Sequence, residues 1–196
     1  MKVAIIKYNA GNIYSVDCAL KRIGVDAIIT DDKEIIKSAD KVIFPGVGEA
    51  KSTMEYLKSH KLDTLIKDLE QPVLGICIGM QLMCSHSEEG NVDCLGIFDV
   101  PVKRFISRDD MKIPHMGWNT LQINKDSIIS KDLENKYVYY VHSYYVPINE
   151  NTIAQTDYIE TFSAALNKNN FYATQFHAEK SGDVGEEILK NFINLK

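Results

Sequence analysis

The segment Gly75-Ile76-Cys77-Ile78-Gly79 follows the short apolar run Pro72 to Ile76 and opens the helical pattern Met80-Gln81-Leu82-Met83. A chain that turns abruptly from strand to helix strains the residue at the turn, and small residues two positions to either side let neighbouring backbone come close. Glycine occupies both places. A thiol at such an elbow lies at a helix N-terminus, where partial positive charge and free N–H groups favour the thiolate. The Ile78 N–H is placed to meet a developing oxyanion. Read alone, Cys77 is equally a small buried hydrophobe beside an ordinary turn.

Two further segments carry groups that would complement a thiolate. In Gln175-Phe176-His177-Ala178-Glu179, an extended chain sets His177 and Glu179 on one face, about 6–7 Å apart. The histidine would take the thiol proton and return it to a leaving amine, and the carboxylate would fix its tautomer. An isolated H-x-E is also a surface ion pair. Cys, His and Glu are competent zinc ligands, but no other His or Cys stands at a helpful spacing, so neither a metal nor another cofactor is expected. Phe44-Pro45-Gly46-Val47-Gly48 ends a third apolar run, where exposed N–H groups would meet negative charge, or where the chain makes a tight turn. No Lys-Ser or Lys-Thr follows at the offset of a phosphate-binding loop.

These segments need elements to position them. Val3 to Tyr8 reads as a buried strand, and Ile13, Val16, Ala19, Leu20 and Ile23 recur at helical spacing until Gly24. Ala27 to Thr30, Val42 to Phe44 and Pro72 to Ile76 read as further strands with helices between, which predicts an α/β fold with a mostly parallel central sheet flanked by helices. Beyond about residue 95 come shorter strands, Asn119 to Ile123, Tyr137 to Val141 and Tyr172 to Phe176, read as an antiparallel C-terminal extension. Val184, Ile188, Leu189, Phe192 and Ile193 form one face of a closing helix. At 196 residues, one domain spanning 1–196 is expected. The net charge of -5 without a basic cluster disfavours nucleic acid, and no stretch is long and apolar enough for a membrane span. Four cysteines without a C-x-x-C spacing predict a reducing, cytoplasmic setting.

A strand-end glycine loop, a G-x-C-x-G elbow and a late H-x-E, in this order, resemble the triad class of glutamine amidotransferases. The resemblance implies Cys77 as nucleophile, His177 as general base and acid, and Glu179 as orienting carboxylate. It implies Val47 and Ile78 as oxyanion donors, and Gly48, Gln81, Glu89, Ser143 and Tyr144 around the glutamine. Glycine on both sides of Val47 would let its peptide rotate, making the loop a switch. Within the class, Tyr8-Asn9-Ala10-Gly11-Asn12, Pro114-His115-Met116-Gly117-Trp118-Asn119 and Tyr140-Val141-His142-Ser143-Tyr144 are similar to the glutaminase subunits of imidazole glycerol phosphate synthases, in histidine biosynthesis. That implies a (βα)₈-barrel cyclase partner in a heterodimer, met by Asn12, His115, Trp118, Asn119 and Lys180. Ala178 replaces the usual proline of H-P-E, and Lys7 stands where aspartate is common. Proline's absence frees the Ala178 backbone and removes no catalytic group.

The alternatives are a glutaminase serving another synthase, such as anthranilate synthase or a sugar-amidating enzyme, a cysteine peptidase, and a binding subunit without catalysis. His142 reads either as structural or as an active-site residue. His60 and His86 are placed in helical stretches without partners, Cys18 on the apolar side of the first helix, Cys84 in the helix after the elbow and Cys94 in a loop.

Overall fold

Short apolar runs that alternate with amphipathic helices leave each strand hydrophobic on both faces, and covering both requires a layer of helices on each side. The computed structural model describes residues 1–8, 12–108 and 111–195. Its first part runs β1 (Val3–Ile6), α1 (Ile13–Arg22), β2 (Ala27–Thr30), α2 (Lys33–Lys37), β3 (Lys41–Phe44), α3 (Ala50–Ser59), α4 (Leu62–Lys67), β4 (Val73–Ile76) and α5 (Ile78–Met83). Then come β5 (His86–Ser87), β6 (Val92–Asp93), β7 (Pro101–Arg104), β8 (His115–Thr120), β9 (Gln122–Ile123), β10 (Tyr137–His142) and β11 (Tyr144–Tyr145). The chain closes with β12 (Thr152–Asp157), β13 (Thr161–Lys168), β14 (Phe171–Thr174) and α6 (Gly182–Ile193).

The main sheet has the order β2-β1-β3-β4-β14-β13-β12-β9. β2, β1, β3, β4 and β14 pair in parallel, and β13, β12 and β9 extend the sheet antiparallel. Successive residues of β1 feed opposite cores. Val3 and Ile5 pack with Leu20 of α1 and Phe192 of α6, while Ala4 and Ile6 pack with Leu57 of α3 and Ile66 of α4. Each fully buried Val, Leu, Ile or Phe side chain among these contributes about 1.5–3 kcal/mol. Two small additions sit beside the sheet: the β8–β10 ribbon and a four-stranded set, β11-β7-β5-β6.

Gly24 ends α1 as its position suggests, at φ 80°, with its N–H on the Lys21 carbonyl and the Val25 N–H on Leu20. Several sequence expectations need correction. Cys18 is exposed, because the buried stripe of α1 is Ile13, Val16, Asp17, Ala19 and Leu20 and residue 18 falls on the opposite side at 3.6 residues per turn. Asn119 to Ile123 is not one strand: β8 ends at Thr120, Leu121 turns into the core, and β9 joins the main sheet at β12. His86 lies in β5, not a helix, and has partners in Asp93 at 2.9 Å and Asn91 at 3.1 Å. His60 caps the end of α3 and stacks on Tyr56 at 4.0 Å.

Candidate active site

The three chemistry-bearing segments are far apart in sequence, yet each leaves the carboxyl end of one of three neighbouring parallel strands. Phe44 leads out of β3 into Pro45-Gly46-Val47-Gly48, Ile76 leads out of β4 into Cys77, and Thr174 leads out of β14 towards His177. Open α/β sheets gather function at this edge.

Cys77 holds φ 53° and ψ -107°, a region costly for a residue with a side chain. Its N–H donates to the Thr174 carbonyl at 2.7 Å, and its carbonyl accepts the Gln81 N–H at 3.2 Å to start α5. The two glycines permit this by close approach. A Cβ on Gly79 would overlap the Phe44 carbonyl, and one on Gly75 would lie 2.9 Å from both the Gly79 carbonyl carbon and Met83 Sδ.

The H-x-E geometry differs from the extended pair expected. β14 has ended at Thr174, and Ala178–Lys180 form a 3-10 turn. The His177 N–H leaves the sheet to donate to Tyr139 of β10 at 2.9 Å, and the Ser181 hydroxyl donates to the His177 carbonyl at 2.7 Å. The turn curls Glu179 back until its Oε1 accepts from His177 Nδ1 at 2.7 Å, with both side chains fully buried. This is no surface ion pair. Burial, the largest influence on His177, opposes its protonation, but the Cys77 sulfur and the Glu179 carboxylate together outweigh it and push the imidazole up to about 10. His177 Nε2 has no hydrogen bond among the described residues, leaving that nitrogen available for proton transfer.

A cleft of about 290 Å³ opens over Cys77 and is bordered by Val47 and Ile78, expected as oxyanion donors, by Gly48, Gln81, Glu89, Ser143 and Tyr144, expected around a glutamine, and also by Pro114, Val141 and His142. A larger hollow, about 430 Å³, is lined by residues of α2, α4 and the turn before β4 and contains none of the three segments. Glu89 accepts the Ala50 N–H at 2.9 Å, and burial raises its carboxyl above the ordinary range. Among the described residues no group of three His, Cys, Asp or Glu side chains is placed to hold a metal.

The loop after β3 is less free than its two glycines suggest. A Cβ at Gly46 would overlap Ile78 and the Tyr8 hydroxyl, so this glycine is there for close packing. The Tyr8 hydroxyl also donates to the Pro45 carbonyl. Only Gly48, at φ 147°, occupies backbone space reserved for glycine. Rotational freedom thus lies on the Gly48 side of Val47.

Asn12 and His115, expected at a partner surface, are instead buried at 8% and 3% exposure. Asn12 donates to Glu179 Oε1, and His115 turns inward because alternation along β8 exposes Met116 and Trp118. Asn119 is half-buried on the same ribbon, and Lys180 is exposed. The other part of the N-terminal signature, Asn9-Ala10-Gly11, lies outside the described residues. Sequence reasoning passed over Gln175. It is fully buried, its Nε2 donates to Cys77 Sγ at 3.8 Å, and its Oε1 accepts from Gln81 at 2.9 Å. Its signal was a glutamine two residues before a candidate general base.

A family model described as glutamine amidotransferase class-I matches residues 4–195. The chain is 66% identical to the imidazole glycerol phosphate synthase subunit HisH of Bacteroides fragilis, over 100% of both chains. It is 46% identical to the HisH subunit of Idiomarina loihiensis, over 100% of this chain and 98% of that one. Among solved structures, a glutamine amidotransferase matches with a TM-score of 0.75 at 15% identity, covering 98% of this chain and 97% of that one. PurLQS from Thermotoga maritima matches with a TM-score of 0.69 at 14% identity, covering 98% and 97%. These two likenesses speak to the fold.

Proposed function

The chain belongs to the class-I glutamine amidotransferases, among the HisH subunits of imidazole glycerol phosphate synthase, and from that premise we propose that Cys77, His177 and Glu179 hydrolyse glutamine for a cyclase partner. The carrying observation is the strained Cys77 elbow beside a buried His177–Glu179 pair. The Cys77 thiolate attacks the side-chain carboxamide carbon, and the negative charge passes to the oxygen, met by the Ile78 and Val47 N–H groups. As the C–N bond breaks, His177 Nε2 gives its proton to the nitrogen and ammonia leaves. Water then adds to the thioester as His177 takes its proton, the C–S bond breaks to release glutamate, and His177 returns the proton to the Cys77 sulfur. Glu179 keeps a hydrogen on His177 Nδ1 throughout, so that only Nε2 exchanges protons.

Gly48, Gln81 and Glu89 line the substrate's side of the cleft, with backbone at Ser143 and Tyr144 holding the α-carboxylate. The ammonia serves a (βα)₈-barrel cyclase in histidine biosynthesis, within a heterodimer formed in the cytoplasm. Trp118, Asn119 and Lys180 belong to the proposed docking face, joined by exposed Met116. The single eight-stranded sheet, which includes strands from both halves of the chain, supports one domain over 1–196. Relatives matching end to end favour the histidine-pathway partner over another synthase. The test is glutamate release by the wild-type chain and by Cys77→Ser, each mixed with the histidine-pathway cyclase. Turnover that vanishes in the variant is expected; equal turnover in both would refute Cys77 as nucleophile.

A further inference from the structure

Two histidines outside the triad are buried beside it. His115 and His142 pair directly across the β8–β10 ribbon and are 3% and 6% exposed. His115 Nδ1 lies 3.0 Å from His142 Nε2, and His142 Nδ1 lies 2.8 Å from the Tyr144 carbonyl oxygen. At the outer end, Asn119 Nδ2 lies 3.4 Å from His115 Nε2.

The two ends fix which nitrogen carries each hydrogen. The Tyr144 carbonyl only accepts, so His142 Nδ1 donates, and the neutral ring leaves Nε2 as an acceptor. Asn119 Oδ1 accepts the Thr120 N–H at 2.8 Å, which turns Nδ2 towards the Asp157 carbonyl at 2.9 Å and towards His115 Nε2. His115 Nε2 therefore accepts, and its Nδ1 donates to His142. Both ends select the Nδ1–H tautomer of both rings. A second proton on either ring would set N–H against N–H somewhere along the chain. The rings have little room to turn: His115 stacks on Tyr158 at 4.0 Å and on Tyr140 at 4.8 Å.

The inner end reaches the chemistry. The Tyr144 carbonyl also accepts from Gln81 Nε2 at 3.0 Å, Gln81 donates to Gln175 at 2.9 Å, and Gln175 donates to Cys77 Sγ at 3.8 Å. We propose that His115 and His142 are positioning residues for hydrolysis, a neutral single-tautomer pair that fixes the Tyr144 carbonyl and, through it, the Gln81 and Gln175 amides around the nucleophile. The proposal rests on the glutaminase reading above. Without the His142 donor, only the Gln81 amide would hold the Tyr144 carbonyl, and a carbonyl oxygen that shifts towards the cleft would repel the substrate carboxylate.

Nitrogen-15 spectra of the full chain, labelled at histidine, read the tautomers without any assay of activity. Free neutral histidine favours Nε2–H. Both rings are expected to be Nδ1–H and to stay neutral between about pH 8 and pH 5.5, a window in which an ordinary histidine titrates. The titratable groups facing the pair are His177, Tyr140 and Tyr158, with Cys77, Glu89 and Tyr144 around the cleft that His142 also lines. Nε2–H at either ring, or titration of either within that window, would overturn the proposal.

Kinetics then separate positioning from packing. His115→Phe keeps the aromatic stack and removes the donor, whereas His115→Asn keeps an N–H near the Nδ1 position. In the complex with the cyclase, His115→Phe should raise KM for glutamine about tenfold, the scale of one neutral hydrogen bond, with kcat changed by less than about threefold. His115→Asn should bring KM back to within about threefold of wild type. Unchanged KM in His115→Phe, or equal impairment in both variants, would overturn the positioning role. Absence of glutamate release from wild type would refute the glutaminase reading instead, and the tautomer measurement would still decide the pair. It also decides the pair if a variant does not fold.

Discussion

The strand ends around Cys77 and the β8–β10 ribbon solve different problems with the same kinds of residue. At the strand ends, an ionisable pair, His177 and Glu179, is buried together so that each stabilises the other's charge. In the ribbon, two buried histidines hydrogen-bond only to neutral groups, and burial pulls His115 down to about 4 and His142, with a smaller push from His177, to about 3. The first arrangement keeps a proton ready to move, and the second keeps protons from moving. The supports differ too. Cys77 and His177 hang from neighbouring parallel strands inside a sheet, whereas the ribbon has two strands and exposes Trp118 at 56% and Met116 at 64%. A rigid edge suits chemistry, and a thin ribbon with an aromatic outer face suits docking.

The difference is testable by degrees. Cys77→Ala or His177→Ala should lower kcat on the order of 10⁶-fold, and Glu179→Ala about a hundredfold less severely, because orientation is lost while the base remains. Steady-state glutamate release measures this, and normal turnover in His177→Ala would remove the triad from the account. Val47→Pro, checked for folding by circular dichroism, should cost about 10²–10³ in kcat by deleting one oxyanion donor. Full partner-stimulated turnover would exclude Val47 from that role.

Ribbon substitutions should act elsewhere. Trp118→Ala should weaken complex formation by about 2 kcal/mol, roughly thirtyfold, while leaving unfolding unchanged; a titration against the cyclase with unaltered affinity would speak against the docking face. The smallest effect concerns acid. A neutral histidine whose folded pKa lies below its unfolded value near 6.5 leaves the unfolded state binding more protons, so stability falls as pH drops below that value. His177 has the opposite sign, since its raised pKa contributes stability below about pH 6.5 that is lost as pH rises towards 10. Replacing His115 with Asn should therefore flatten the stability curve between pH 6.5 and about 5, by about one proton's slope. Urea unfolding across that range measures it, and an unchanged slope would mean that His115 titrates normally in the fold.

The strand-end site was legible because its signals are local. Gly75-Ile76-Cys77-Ile78-Gly79 carries its own strand, turn and helix, and the apolar runs before Pro45 and Cys77 marked the parallel strands that deliver them. His177 and Glu179 are legible as a pair but their backbone is not, since nothing in H-x-E distinguishes an extended chain from a 3-10 turn anchored by Tyr139 and Ser181. The ribbon was harder to read. His115 and His142 are 27 residues apart, and only the register of two strands makes them partners. The same register turns His115 inward and Trp118 outward, so a segment read whole as docking surface divides into two roles. Cys18 differs for a simpler reason: it is next in sequence to the buried Asp17 and Ala19, but the helix turns it to the opposite side.

The central claim, that Cys77 is an activated nucleophile, is tested most directly by a glutamine-analogue alkylator followed by mass mapping of the four cysteines. Access and activation give opposite answers here, because Cys18 is exposed while Cys77 is only 7% exposed. Cys84 is buried with its thiol pKa raised by that burial, and Cys94 is half-buried with its thiol pushed up to about 12. The elbow account predicts one adduct at Cys77, blocked by excess glutamine, with Cys18, Cys84 and Cys94 largely unmodified. Labelling that falls mainly on Cys18, or that glutamine does not suppress, would contradict it.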